Sequence, residues 1–354
     1  MPIATINGAR IHFLQLCEGD ARGREDVVML HGLATNIAFW YFKYACELAK
    51  EYRVTVFDMR GHGRSEMTPT GYAPANLAKD VAALMEHLDI RQAHLLGHSF
   101  GGVVAMKYAI EHRDQVRSLA LADTHIAAAR HSQSFAEWEH GRTIQALLNR
   151  HGFDLDACDP YFGYKLLTKV AENQISGLAI PPELNDLVYP TTSHTGSRTA
   201  AQWLKLMRST SAESEMMCDD GISREALRTF DFPIIAMYGD RSPARITGRE
   251  LLEVWPHAEF RTVRNAGHFF PASKPDEVLA ACRRLWRGDP AENARKYRAG
   301  EPQRSYFRSD RIFKDTSGWY FTTRELPKVG PFAEFEEASS MLMDMILGKL
   351  QSAS

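Results

Sequence analysis

A serine set between glycines joins two apolar runs. His94-Leu95-Leu96 leads into Gly97-His98-Ser99-Phe100-Gly101, and the helix-like Gly102-Val103-Val104-Ala105-Met106-Lys107-Tyr108-Ala109 follows. A strand entering and a helix leaving across such a turn hold the serine hydroxyl clear of the sheet, which suits a nucleophile. The glycines are needed because a side chain at 97 or 101 would collide with the neighbouring strand or helix. A neutral hydroxyl is a weak nucleophile, so it requires a base, a group to orient that base, and N–H donors for the oxyanion formed on attack. Those partners must come from elsewhere among the 354 residues. The chain has 14 histidines, and His125, His131, His140, His151 and His194 show no metal-ligand spacing. None of this chemistry calls for a cofactor. Cys17, Cys46, Cys158, Cys218 and Cys282 stand far apart with no CxxC pair, and read as unpaired thiols in a reducing compartment.

The elements that would position Ser99 follow a regular grammar. Val27-Val28-Met29-Leu30, Val54-Thr55-Val56-Phe57, His94 to Leu96 and Ser118 to Ala122 are short apolar runs, as expected of strands buried on both faces of a parallel sheet. Between the second and third, Leu77, Val81, Leu84 and Leu88 recur at helical spacing over Ala75 to Ile90. Strand, helix, strand predicts an α/β fold, a mostly parallel wound sheet flanked by helices. The pattern breaks between about 125 and 230, where stretches such as Gly141 to Asn149 and Ala200 to Arg208 read as helices and no buried strand is visible. It resumes with Pro233 to Tyr238, Phe260 to Val263 and a helix from Pro275 to Trp286. The middle segment therefore reads as an inserted helical cap. Its Trp138, Tyr161, Phe162, Tyr164, Trp203, Met207, Met216 and Met217 either pack the cap together or face the site and take an apolar acyl group.

Residues 1–286 form the main domain on this reading. Residues 287–303 are polar, carry Pro290, Gly300 and Pro302, and read as a linker. Residues 304–354 then form a small β-β-α module. Tyr306-Phe307, Trp319-Tyr320-Phe321 and Phe332 gather around the turn-like Asp315-Thr316-Ser317-Gly318, and a helix runs from about Phe335 to Leu347.

From about Ile3 to Trp286 the chain resembles the α/β-hydrolase superfamily. His31-Gly32-Leu33-Ala34 matches the loop that supplies an oxyanion-hole amide, and Asp58-Met59-Arg60-Gly61-His62-Gly63-Arg64-Ser65 matches the glycine-rich loop after the next strand. Gly97 to Gly101 matches the nucleophile turn, and Asn265-Ala266-Gly267-His268-Phe269 matches the segment bearing the catalytic histidine. The resemblance implies Ser99 as nucleophile, His268 as base, and backbone N–H groups of Leu33 and Phe100 as oxyanion donors. His31, His62 and His98 fall to structural roles in their loops. The module after Trp286 is not covered.

The acid departs from the pattern. The family usually carries it as Gly-x-x-Asp after the penultimate strand, but the chain reads Gly239-Asp240-Arg241-Ser242-Pro243. A serine at that place can accept a hydrogen bond from imidazole but cannot offset its positive charge. Either Asp240, 28 residues before His268, reaches the histidine, or Asp123 at the end of an earlier strand does. A third possibility is that neither serves.

The resemblance implies hydrolysis of an ester or thioester of a small or medium apolar acyl group through an acyl-enzyme. Two alternatives stand beside it. Arg283, Arg284, Arg287, Arg295, Lys296, Arg298, Arg304, Arg308 and Arg311 make a basic stretch that could dock an acidic acyl-carrier protein. A binding protein on a hydrolase fold, its triad decayed at Ser242, is the other. Composition narrows the rest. With 42 Lys plus Arg against 44 Asp plus Glu, the chain lacks the basic excess of a nucleic-acid binder. No run approaches a membrane span and no signal peptide is visible, so a cytoplasmic protein is expected.

Overall fold

The computed structural model describes residues 2–127, 141–157, 161–178, 196–289, 312–315, 317–322 and 328–334, with residues 159, 181, 184, 337, 338 and 341. The chain divides into two compact units, Met1–Gln303 and Arg304–Ser354.

The first unit is built on an eight-stranded sheet: β1 (Ile3–Ile6), β2 (Ala9–Leu16), β3 (Asp26–Leu30), β4 (Arg53–Phe57), β5 (Ala93–His98), β6 (Val116–Ala122), β7 (Ile234–Gly239) and β8 (Glu259–Val263). Their order across the sheet is β1-β2-β4-β3-β5-β6-β7-β8. From β4 onward all neighbours are parallel, whereas β1 pairs with β2, and β2 with β4, antiparallel. Every residue of β3, β5 and β7 is buried, which is why these strands read as largely apolar runs. The β1–β2 hairpin escaped the sequence reading although its signal was present. Asn7 and Gly8 both take positive φ, 45° and 75°, the conformation for which a two-residue Asn-Gly turn is favoured.

Helices cover the sheet. Helix α1 (Pro74–His87) starts on a proline, which has no N–H to lose there, and buries Leu77, Ala78, Val81, Leu84 and Met85. It stops short of the expected Ile90 because Asp89 turns to φ 50°. Helix α2 (Phe100–Glu111) follows Ser99 and buries most of its circumference.

Between β6 and β7 lies the insertion, with α3 (Gly141–Arg150), α4 (Phe162–Ile175) and α5 (Gly196–Ser209), and no strand among its described residues. It has its own core of Leu148, Phe153, Phe162, Leu166 and Val170. The Trp203 indole N–H donates to Thr168 Oγ1 at 3.1 Å and ties α5 to α4. Side chains of the insertion also grip the sheet domain's loops: Gln202 donates to the carbonyls of Gly61 and Gly63, and the Glu215 carboxylate accepts the N–H groups of Gly71, Tyr72 and Ala73. After β7 come α6 (Arg245–Val254) and α7 (Pro275–Trp286), which flank β8 in sequence.

The second unit contains β9 (Ile312–Asp315), β10 (Gly318–Phe321) and β11 (Val329–Phe332), an antiparallel sheet ordered β11-β10-β9. The hairpin expected around Asp315 to Gly318 is therefore joined by a third strand. That strand holds Gly330-Pro331, residues that read as breakers in sequence. Phe321 and Ala338 are buried, with Trp319, Val329 and Phe332 packed on them. Residues 337, 338 and 341 are helical; Tyr306, Phe307 and the rest of the expected Phe335 to Leu347 helix lie outside the described residues.

Candidate active site

The parallel strands deliver their C-terminal ends to one edge of the sheet, where wound α/β folds place their sites. Strand β5 ends at His98, and Ser99 sits in the turn to α2 with φ 53° and ψ −124°. This is a costly conformation for a residue with a side chain, and it marks functional turns. The turn is held by the Ser99 N–H, which donates to the Ala122 carbonyl at 2.9 Å. A Cβ on Gly97 would come within 2.5 Å of Gly102 Cα, and one on Gly101 within 2.4 Å of the Leu30 and His31 carbonyl oxygens. The helix and strand therefore close on Ser99 only because these two positions carry no side chain.

Strand β6 ends one residue before Asp123, also at positive φ, 53°. Its side chain is fully buried. Strand β8 is followed by the loop carrying His268. The structure brings Ser99, His268 and Asp123 together: His268 Nε2 lies 3.0 Å from Ser99 Oγ, and His268 Nδ1 lies 2.7 Å from Asp123 Oδ2. A carboxylate oxygen can only accept, so Nδ1 carries the proton and Nε2 presents a lone pair to the serine hydroxyl. Asp123 Oδ1 accepts the Gly239 N–H at 2.9 Å, and Oδ2 also accepts the Ser242 hydroxyl. The buried carboxylate thus has three donors.

Asp240 is not brought to the imidazole. Its carboxylate accepts the backbone N–H groups of Asn265 and Ala266, so it holds the loop that carries His268. Ser242, standing where the acid is usual, donates to Asp123 and makes no bond to His268.

Around this centre lies a pocket with an empty volume of about 960 Å³, counted out to its open mouth. Leu33 and Phe100 line it with Ser99 and His268, as do Phe162, Tyr164, Leu166 and Leu167 from α4. Of the aromatic and Met residues of the insertion, Phe162 and Tyr164 reach the pocket, whereas Trp203, Met207 and Met216 are buried away from it. Trp138 lies outside the described residues. The sequence reading missed Val103, His125, Asp159, Pro243 and Ala244, which also line the pocket. For His125 a signal existed, since it follows Asp123 just beyond β6, at the edge where sites gather.

The loop histidines are neutral by burial. His31 donates from Nδ1 to the Gly32 carbonyl at 2.7 Å and accepts the Met59 N–H on Nε2 at 3.0 Å, which pins the Gly32-Leu33 turn to the loop after β4. Burial lowers its pKa and pushes that of His62 down to about 4. His98 is held well below the ordinary histidine value by burial and then by neighbouring His268. Its ring stacks on Phe39 with centroids 4.6 Å apart, and its Nε2–H donates to the His268 carbonyl at 3.1 Å. Cys17, Cys46, Cys218 and Cys282 are free thiols; Cys158 lies outside the described residues. No helix among the described residues is long and apolar enough to cross a membrane.

Known proteins agree with this architecture. Residues 27–275 match the family described as the alpha/beta hydrolase fold, and residues 297–347 match a domain of unknown function, DUF6316. The chain belongs to the α/β hydrolase family. It is 26% identical over 291 residues to a soluble epoxide hydrolase of Corynebacterium sp. (strain C12), covering 78% of this chain and 93% of that protein. It is likewise 26% identical over 282 residues to a non-heme chloroperoxidase of Kitasatospora aureofaciens, covering 76% and 92%. The solved esterase RhEst1 from Rhodococcus sp. ECU1013 superposes with a TM-score of 0.58 at 21% identity, covering 81% of this chain and 98% of that one. The last likeness concerns the fold alone.

Proposed function

We propose that the protein is a serine hydrolase that cleaves an ester or thioester of a small or medium apolar acyl group. The observation that carries this reading is the chain of contacts from Ser99 Oγ through the His268 imidazole to Asp123. Ser99 Oγ attacks the carbonyl carbon while its proton passes to His268 Nε2, and Asp123 stabilises the resulting imidazolium. The oxyanion is received by the N–H groups of Leu33 and Phe100, the latter at the positive end of α2; in other enzymes one such donor is worth roughly 2.7–4 kcal/mol. Collapse expels the alcohol or thiol, which takes the proton from His268. A water then gives a proton to His268 and attacks the acyl carbon; as the Oγ–acyl bond breaks, His268 returns that proton to Ser99 Oγ and the acid is released.

The mainly apolar wall formed by Leu33, Phe100, Val103, Phe162, Leu166 and Leu167 supports an apolar acyl group. Epoxide opening through an alkyl-enzyme ester needs a carboxylate nucleophile, and position 99 carries a hydroxyl. The epoxide hydrolase relative therefore lends its fold and not its reaction. Of the basic stretch, Arg283, Arg284 and Arg287 are engaged by Glu47, Glu51 and Glu259, while Arg295, Lys296, Arg298, Arg304, Arg308 and Arg311 lie outside the described residues.

A fluorophosphonate probe tests the reading. Covalent labelling of Ser99, lost together with p-nitrophenyl ester turnover in Ser99→Ala, is expected. Absence of labelling in the folded protein would favour a non-catalytic binding role.

A further inference from the structure

The position where the family usually carries its acid holds a residue with a definite partner. The Ser242 hydroxyl donates to Asp123 Oδ2, the same oxygen that receives His268 Nδ1–H. Ser242 is 2% exposed and Asp123 is fully buried. A serine has one proton to give, and here its direction is fixed. The Ala244 N–H donates to Ser242 Oγ at 3.2 Å and occupies a lone pair, which leaves the proton for Asp123. The loop itself is tight, with the Ser242 N–H donating to the Gly239 carbonyl at 3.1 Å. The neighbours Pro243 and Ala244 turn directly into the pocket wall.

We propose that Ser242 is a positioning residue for the acid arm, holding Asp123 in register with His268 and setting how strongly Asp123 draws on the imidazole proton. This rests on the serine-hydrolase reading above. A carboxylate oxygen shared between two donors gives less negative charge to each. Ser242 therefore moderates the basicity that Asp123 confers on His268, and it restrains rotation of the carboxylate away from Nδ1. Asp123 stands just after β6, and Ser242, at the place where the family usually carries its acid, is in contact with it.

Other titratable groups surround this unit. His98 has its ring centroid 5.0 Å from that of His268 and stays neutral by burial. Tyr238 donates its hydroxyl to the Thr124 carbonyl, and burial followed by the Asp123 charge holds its phenol protonated. Asp240 is committed to the amides of Asn265 and Ala266. His125, Asp159 and Tyr164 lie on the pocket wall.

The test is the pH profile of kcat/KM for a neutral p-nitrophenyl ester in full-length Ser242→Ala, with Ser242→Cys as a near-isosteric second variant that donates weakly. Without the hydroxyl, His268 becomes the sole side-chain donor to Oδ2. The acidic limb should then move up by about half a pH unit, and the plateau should fall about tenfold through kcat with KM little changed. Ser242→Thr, which keeps the donor, should restore both. A folded Ser242→Ala or Ser242→Cys whose profile superimposes on the wild type overturns the proposal, as does a fallen plateau with an unmoved limb. Fluorophosphonate labelling separates the two levels of inference. If wild-type Ser99 is labelled, a null result at Ser242 counts against this inference alone; if it is not labelled, the serine-hydrolase reading fails and takes this inference with it.

Discussion

The carboxylate of Asp240 accepts the backbone N–H of Ala266 at 2.9 Å and, on its other oxygen, that of Asn265 at 2.8 Å. Asn265 takes φ 50°, so the two bonds offset a strained residue three places ahead of His268. The bond partners divide the labour of two aspartates that sequence spacing leaves as rivals. Asp123→Asn should cost about 10⁴-fold in kcat, by analogy with loss of the acid in other serine triads. Asp240→Asn should cost only about tenfold, because it loosens the loop and leaves the imidazole its acid. Steady-state kinetics of the two purified variants on one neutral ester check the ranking, and the opposite order would make Asp240 the acid.

The elbow glycines give a prediction about stability. Gly101 sits where a methyl group would stand 2.4 Å from two backbone carbonyl oxygens, and the backbone of β3 cannot retreat without breaking its pairing with β5. Gly101→Ala should therefore destabilise the protein by about 1–3 kcal/mol or more. Gly152→Ala, at a position with open space around it, tests only the φ of 69° and should cost about 1 kcal/mol. Thermal unfolding of both variants reads the difference.

Much of this centre is legible in the sequence because it is local. A strand, a turn that demands glycine and a helix occupy one continuous stretch, so Gly97 to Gly101 carries its own geometry. The apolar runs of β3 to β7 are equally plain, since burial on both faces favours apolar residues at most of their positions. What the sequence leaves open is long-range. Whether Asp123 or Asp240 faces His268 depends on how the loops after β6, β7 and β8 meet, and residues 123, 240 and 268 are far apart in the chain. The pocket residues Pro243 and Ala244 are hidden for the same reason, since their place on the wall depends on how the loop after β7 meets the others.

Buried histidines make stability depend on pH. His62 has its pKa lowered by burial to about 4, while an unfolded histidine titrates near 6.5. The contribution is therefore fully present above about pH 6.5 and is lost as pH falls toward 4, because the unfolded chain takes up a proton that the folded one refuses. For His62 alone this approaches roughly 3 kcal/mol at the acid end. His31 and His98 act in the same direction. The melting temperature should fall between pH 7 and pH 4.5, and His62→Gln should flatten that slope.

Glu215 ties the insertion to the sheet domain. Its carboxylate accepts three successive N–H groups, from Gly71, Tyr72 and Ala73, at the entry to α1. Those bonds and that to Ser211 favour its charged form and lower its pKa against a desolvation cost that acts the other way. Glu215→Gln should destabilise by about 1–3 kcal/mol. Because the insertion supplies the α4 wall of the pocket, KM for an apolar ester should rise with little change in kcat. A kcat loss at constant KM would show that the tie matters to the reacting groups and not to the wall.

Leu167 offers control of acyl length. It is half-buried and lines the pocket from α4, whereas its neighbours Phe162 and Leu166 also hold the insertion's core. A change at 167 can therefore reshape the cavity without emptying that core. Leu167→Ala should open room for a longer chain and Leu167→Trp should remove it. One methylene of fit in an apolar pocket is worth about 1–3 kcal/mol, so the preferred p-nitrophenyl ester should shift by one to a few carbons in opposite directions in the two variants. The comparison is made on kcat/KM across a chain-length series, where the shift appears as a moved maximum. If both variants keep the wild-type maximum, the acyl group lies elsewhere in the pocket and the α4 wall faces the leaving group.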